Sequence, residues 1–240
     1  APTQPILEIS VDGTVRSLIR AGDLVVIRAT FLEDMATSPF LSLSGVNTVA
    51  STPMTRIDAR NWTYSRVATF GNGTVTISIT GTDIAGNQLS GTLNNNTYKI
   101  DAISPTLKSP VANSLFVSGQ STSASAKRTG DTVDIQADFS EPVSVDGTPT
   151  LSLSTGGLAS YLAGGGSSSL TFRYTVRAAD ATGTRLDVSS SSALTGTIID
   201  GARNPFVSTN GAPVPGSSSF YLSNIVIDNT PPTVSAVTAP

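Results

Sequence analysis

Apolar and polar residues alternate with a period of two through much of the chain. The clearest runs also carry β-branched residues and are separated by Gly, Asn, Asp and Ser; they cover residues 24–31, 74–80, 133–139, 170–176 and 220–227. A two-residue period places successive side chains on opposite faces of a strand, so these runs predict β-strands. No segment has the pattern of a convincing amphipathic helix, and the chain is therefore predicted to be all-β.

The two halves of the chain repeat four segments in the same order. Residues 21–33, 41–44, 83–87 and 98–106 match 129–141, 151–154, 200–204 and 226–233. In the first pair a Gly-Asp turn precedes an alternating strand that we expect to stop at a glutamate, Glu33 or Glu141. In the third pair Asp-Ile-Ala-Gly-Asn stands against Asp-Gly-Ala-Arg-Asn. Internal repetition of this kind predicts tandem structural units.

The length of 240 residues exceeds the usual size of a single core, which supports the same division. We predict one repeat at residues 1–104, a longer one at 105–232, and the start of a linker to a further repeat at 233–240. The extra residues of the second repeat, around 164–169, 178–186 and 208–219, are expected in loops and a longer hairpin. About seven short strands per repeat predict two immunoglobulin-like, Greek-key β-sandwich domains joined end to end. A jelly roll or a small barrel is the alternative.

Composition removes several classes of function. The chain has no Cys and no His, which excludes disulfides, thiolate metal sites and every mechanism that needs an imidazole. The net charge of −3 comes with singly scattered Lys and Arg, so we expect no nucleic-acid partner. No run approaches the ~20 apolar residues of a membrane span, so we expect no membrane insertion, and we expect a monomer. The first five residues have no signal-peptide character, which suggests an internal fragment.

Several motifs of the second half resemble the tandem bacterial immunoglobulin-like repeats of giant surface adhesins and biofilm-associated proteins. These motifs are Thr-Gly-Asp-Thr-Val at 129–133, Phe-Ser-Glu-Pro-Val at 139–143 and Ile-Asp-Asn-Thr-Pro-Pro-Thr at 227–233. The first half carries the same skeleton in weaker form. The resemblance implies secretion, display on a bacterial cell surface and a rod-like spacing role, and many members of the family bind calcium where domains join.

The order of strands in such a sandwich predicts where the acidic residues meet. The glutamate after the second strand and the loop before the last strand belong to the N-terminal pole, whereas the aspartate ending the last strand belongs to the C-terminal pole. One junction would then gather Asp101, Glu141, Asp200 and Asn204, which offer the oxygen ligands that calcium prefers. A second group, Glu33, Asp83 and Asn87, would face a preceding repeat, and Asp228 would face a following one.

The same residues also fit a simpler hypothesis, in which they form turns without binding an ion. Aspartate outnumbers glutamate by 14 to 3, and Asp-x-Ala-Gly-Asn is by itself a favourable turn. The primary functional hypothesis is a non-catalytic stalk of a secreted surface adhesin, stiffened by calcium and contacting neighbouring repeats of its own chain. The alternatives are a module that binds a host glycan or protein, and an accessory domain of an extracellular enzyme or a surface-layer protein.

Overall fold

The structure, a computed structural model, describes residues 2–108, 115–117, 125–183, 185–208 and 225–236. Its regular secondary structure there consists of β-strands, as the two-residue period predicted. The chain divides into two compact units, Ala1–Ile103 and Ser104–Pro240. Within the described ranges, no helix has the length and hydrophobicity needed to cross a lipid bilayer.

The first unit contains two five-stranded sheets, in the orders β2-β1-β4-β8-β7 and β3-β10-β9-β5-β6. The strands are β1 Ile6–Val11, β2 Thr14–Val15, β3 Leu18–Ile19, β4 Leu24–Thr30, β5 Phe40–Gly45, β6 Val49–Pro53, β7 Thr55–Arg56, β8 Asn61–Val67, β9 Asn72–Thr80 and β10 Thr97–Asp101. Burial alternates along β4 and β9, so each strand buries one face. Both sheets contribute to one hydrophobic cluster, which includes Ile27 and Trp62 from one sheet and Ile77 from the other. This arrangement is a β-sandwich.

The chain changes sheets soon after its first strand. A two-residue turn at Asp12 and Gly13, both at positive φ, joins β1 to β2 in the geometry that suits a tight hairpin. The chain then crosses to the other sheet, where β3 pairs in parallel with β10. The first part of the chain thus supplies an edge strand to each sheet of the sandwich.

The second unit contains β11 Leu115–Val117, β12 Ser125–Lys127, β13 Thr132–Ser152, β14 Leu158–Ala163, β15 Ser167–Thr175, β16 Leu194–Asp200 and β17 Ile225–Ile227. Here too the first part of the chain divides: β11 pairs with β13, and β12 pairs in parallel with β17. The Gly-rich segment expected as a hairpin tip connects β14 to β15, which pair antiparallel. Residues 209–224 of the predicted insertion and of the predicted strand 220–227 lie outside the described residues.

One prediction about the second unit is wrong. The strand that was expected to stop at Glu141 continues to Ser152 as β13. Its register shifts between Asp138 and Val143, and beyond the shift it leaves β15 and pairs with β16. A bulge lets a strand bend without ending. In the first unit the corresponding strand, β4, ends at Thr30.

A buried polar network holds the loop after β15. The hydroxyl of Tyr174 donates to Asp180 Oδ2 at 2.7 Å and lies 3.2 Å from Thr155 Oγ1. The side chain of Arg177 donates to the other carboxylate oxygen of Asp180 at 2.9 Å. Burial raises the pKa of Tyr174 to about 12; the hydrogen bond with Thr155 opposes this shift, and the interaction with Asp180 adds to it. Burial also acts to raise the pKa of Asp180, but the hydrogen bonds from Arg177 and Tyr174 outweigh it, so the pKa is lowered.

The lowered pKa of Asp180 predicts an acid-sensitive second unit. A carboxyl whose pKa is lower in the folded state stabilises the fold above its unfolded pKa of 3.8 and loses that contribution as pH falls through the folded value. We expect Asp180→Asn to cost about 2 kcal/mol of unfolding free energy at neutral pH, the scale of hydrogen bonds to a charged group. The difference from the parent should shrink at acid pH, as the carboxyl of the parent is protonated as well.

Urea unfolding followed by circular dichroism at both pH values measures this difference. Asp146→Asn, at an exposed position of the same unit, is the matched control and should change little. A cost that is equal at neutral and acid pH would contradict a role for the Asp180 charge.

Candidate metal centre

The segment that follows β16 folds into a closed turn around Asp200. Both side-chain oxygens of Asp200 accept hydrogen bonds from Asn204, one from the main-chain N and one from Nδ2, each at 2.8 Å. Asp200 N donates to Asn204 O at 3.0 Å, and Arg203 N donates to Asp200 O at 3.1 Å. Asp200 and Asn204 are both buried. The bonds orient the carboxylate of Asp200 without neutralising its charge.

The first unit contains the same turn at Asp83. Asn87 donates from its main-chain N and from Nδ2 to the two oxygens of Asp83, again at 2.8 Å. Asp83 N donates to Asn87 O at 3.0 Å, and Gly86 N donates to Asp83 O at 3.0 Å. The hydrogen bonds from Asn87 lower the pKa of Asp83, although burial opposes them. The turn chemistry that the sequence offered as the simpler reading is therefore present in both units.

Turn chemistry does not account for the second carboxylate in this part of the second unit. An oxygen of Glu141 lies within 4.8 Å of an oxygen of Asp200. Glu141 reaches this position from β13, in the stretch where the register shifts. Two carboxylates this close repel each other unless a proton or a cation lies between them. Within the second unit, the structure thus brings together Glu141, Asp200 and Asn204 of the predicted site.

The two aspartates near the ends of the last strands also have equivalent surroundings. Asp101 is the final residue of β10, and its Oδ1 accepts from Ile103 N at 3.1 Å. Asp228 directly follows β17, and its Oδ1 accepts from Thr230 N at 3.0 Å. Asp101 belongs to the first unit, whereas Glu141 and Asp200 form a close pair of carboxylates within the second unit.

The remaining predicted ligands belong to other parts of the chain. Asp83 and Asn87 share their turn, whereas Glu33 is exposed on a bend after β4. The neighbouring Asp34 accepts a hydrogen bond from Arg60 Nε at 2.6 Å, so a cation of the chain already lies beside this bend. Asp228 is exposed at the end of the second unit.

The carboxylates of Glu141 and Asp200 fit a hard divalent cation. Carboxylate oxygens supplied by separate segments suit calcium, which accepts six to eight oxygen ligands in flexible geometry. Zinc and copper prefer imidazole or thiolate, which this chain does not contain. The amide of Asn204 donates its Nδ2 to Asp200, and its oxygen belongs to the class of ligand that calcium accepts.

Two aromatic residues of β8 pack with the core of the first unit. Trp62 is only 4% exposed and belongs to the core cluster, and Tyr64 packs partly buried against that cluster. Sequence reasoning missed the contact of Tyr174 with Asp180, because Tyr174 lies in β15, Asp180 lies in the loop after it, and no short motif marks the pair.

Comparisons with known proteins found matches among solved structures. No protein-family model matches the chain, and no curated protein matches it. Among solved structures it is similar to one described as a tetra-tandem repeat in the extending region of a large adhesion protein, with 16% sequence identity. The alignment covers 85% of this chain and 47% of that one, with a TM-score of 0.30. The chain thus spans about half of that structure, and at this TM-score the match carries no inference about fold or function.

The two turns provide a test of their shared geometry. Gly86 has a φ of +83°, and a Cβ added there would meet no atom within 4 Å. We expect Gly86→Ala to lower the unfolding free energy of the first unit by about 1 kcal/mol, because an L side chain is strained in this region. Gly86→Asn should cost less, since Asn tolerates the left-handed conformation.

Trp62 is the only tryptophan of the chain and lies in the first unit, so its fluorescence during urea unfolding reports this cost. The second unit already has a non-glycine residue at the corresponding place, Arg203, with a φ of +73°. A cost of Gly86→Ala no larger than that of Gly86→Asn would show that backbone strain does not govern this turn.

Proposed function

We propose that the chain consists of non-catalytic, immunoglobulin-like structural repeats from the stalk of a secreted bacterial surface adhesin, and that calcium stiffens the stalk. The observation that carries the repeat interpretation is that chemically equivalent turns recur at equivalent places in both units. The Asp83 and Asp200 turns make the same four hydrogen bonds. Asp101 and Asp228 make the same bond to the amide two residues later.

The order of strands supports the immunoglobulin-like part of the proposal. In the first unit, one sheet places β1 beside β4 and β4 beside β8, while the other places β10 beside β9 and β9 beside β5. This is the order ABE and GFC of an immunoglobulin sandwich. The switch of the first strand between sheets, with parallel pairing to the last strand, occurs in both units.

The acidic group supports the calcium part. In the first unit Glu33, which matches Glu141 in the sequence repeat, is exposed, whereas in the second unit Glu141 lies close to the buried Asp200. The second arrangement concentrates negative charge where water is scarce, which is costly unless a cation is bound. We therefore propose that calcium binds Glu141, Asp200 and the side-chain oxygen of Asn204. We include Asp101 in the proposed ligand set because the strand order of the sequence repeat predicts it there.

Calcium binding at this site should stabilise the folded chain by mass action. An ion that binds only the folded state adds about 2.7 kcal/mol when its free concentration is 100 times its dissociation constant. We expect the melting temperature in millimolar calcium to exceed that in chelator, and we expect Asp101→Asn and Glu141→Gln each to remove most of this shift. Differential scanning calorimetry measures the shift, and isothermal titration calorimetry counts the ions.

The control is Asp12→Asn, which removes one negative charge at an exposed hairpin turn whose positive φ suits Asn. It should keep the full calcium shift. Identical melting curves of the parent in calcium and in chelator would contradict the calcium site and leave the turns as purely structural. A shift that survives both Asp101→Asn and Glu141→Gln would move calcium to another site.

The stalk role is tested separately from calcium. The complete coding sequence should contain further copies of the repeat, with the Gly-Asp turn and the Asp-x-x-x-Asn turn at the same relative places. A single catalytic domain beside these two units would favour the accessory-domain alternative instead.

A further inference from the structure

A cavity of about 530 Å³ opens on the side of the first unit, at an edge of the sandwich. Residues of β1 line one side, and Asn95 and Thr97 line the other. One end is bounded by the segment 15–17, in which the chain leaves β2 and crosses to the opposite sheet. The size lies within the range of sites for small ligands and short peptide segments.

The cavity contains an open strand edge. Ile9 O accepts a hydrogen bond from Arg16 N at 3.0 Å, so the main-chain groups of Ile9 face away from β4. Alternate residues of a strand direct their N–H and C=O groups to the same side, and those of Leu7 therefore face this edge as well. The hairpin partner β2 pairs only with Ser10 and Val11. Among the described residues, no strand pairs with β1 at Leu7 on this side.

The cavity also contains a cation with an unused donor. The Nε of Arg16 is buried and has no hydrogen-bond partner among the described residues. An unbonded buried N–H costs about 1–3 kcal/mol, so a small rotation that turns this donor toward an acceptor in the cavity is favourable. Glu8, the acid in the lining, lies across from Arg28 in the register of β1 and β4. The chemistry of the cavity therefore favours an added carboxylate.

From these features we propose that the cavity binds the C-terminal end of an extended peptide. The peptide adds to β1 as a parallel strand, and its main chain bonds with the N–H and C=O of Leu7. The crossing segment prevents the added strand from continuing past Arg16, so the occupant ends there. A parallel strand places its terminal carboxylate beside the guanidinium, whereas an antiparallel one would place an ammonium there. The exposed side chains of Ile6 and Val15 favour an apolar last residue.

This ligand site is independent of the stalk and of calcium, and nuclear magnetic resonance tests it directly. The probes are four N-acetylated peptides of sequence Thr-Val-Thr-X, in which X is Val, Leu, Phe or Ser. Each peptide is made in two forms, one with a free C-terminal carboxylate and one with a C-terminal amide. In ¹⁵N–¹H spectra we expect the free acids with apolar X to shift the amide signals of Leu7, Arg16 and Thr97. We expect each amide form to bind at least about tenfold more weakly, the scale of one charge-assisted hydrogen bond.

Two variants and one control assign the effect to the cavity. Arg16→Gln should weaken the free acids by about the same tenfold and leave the amide forms unchanged, because it removes only the charge pairing. Val15→Asp, at an exposed position on the rim, should weaken the free acids by repulsion. Arg128→Gln removes an exposed arginine of the second unit, outside the cavity lining, and should change neither.

Either of two results would overturn the proposal. The first is the absence of shifts at Leu7, Arg16 and Thr97 with all four free acids at about 5 mM. A dissociation constant above that concentration is too weak for useful recognition. The second is equal binding of acid and amide forms, which would leave strand addition without a role for Arg16. Melting curves of each variant verify that loss of binding is not loss of the fold.

Discussion

The candidate site depends on one interaction: the hydrogen bonds that an asparagine donates to both carboxylate oxygens of the aspartate four residues before it. In both units this turn follows the strand before the last one, and it buries a charged group at the end of a sheet. Each oxygen of the aspartate accepts a donor whose position is fixed by the same short loop. The carboxylate is thus oriented before any ligand arrives, so an ion that binds there need not order the side chain.

The turn can serve two purposes because the hydrogen bonds leave the charge in place. In the first unit the corresponding glutamate, Glu33, is exposed, and the hydrogen bonds within the turn account for its geometry. In the second unit the long strand β13 bends through its register shift and carries Glu141 close to Asp200. The difference between a structural turn and a candidate calcium ligand therefore arises from the course of a neighbouring strand and not from the turn itself.

Features built from nearby residues were accessible from the sequence. The Gly-Asp turns illustrate this: Gly22 N and Asp23 O bond with Ala68, and Gly130 N and Asp131 O bond with Val176, as the matched motifs suggested. The all-β class followed from the period of two for the same reason, since it depends only on adjacent positions. Long-range consequences were not accessible. The continuation of β13 past Glu141 depends on pairing with β16, about 50 residues later, and the contact of Tyr174 with Thr155 depends on the packing of a turn against β15.

The parallel pairing of an early strand with the last strand, β3 with β10 and β12 with β17, has a mechanical consequence. When a chain is pulled from its two ends, the hydrogen bonds between two parallel terminal strands are strained along the strand direction and share the force at the same time. Antiparallel strands joined by a hairpin would instead open one bond after another. A domain with an early strand paired in parallel to its last strand resists extension through these few short strands. Its core, its loops and any ion at its poles then carry little of the tension.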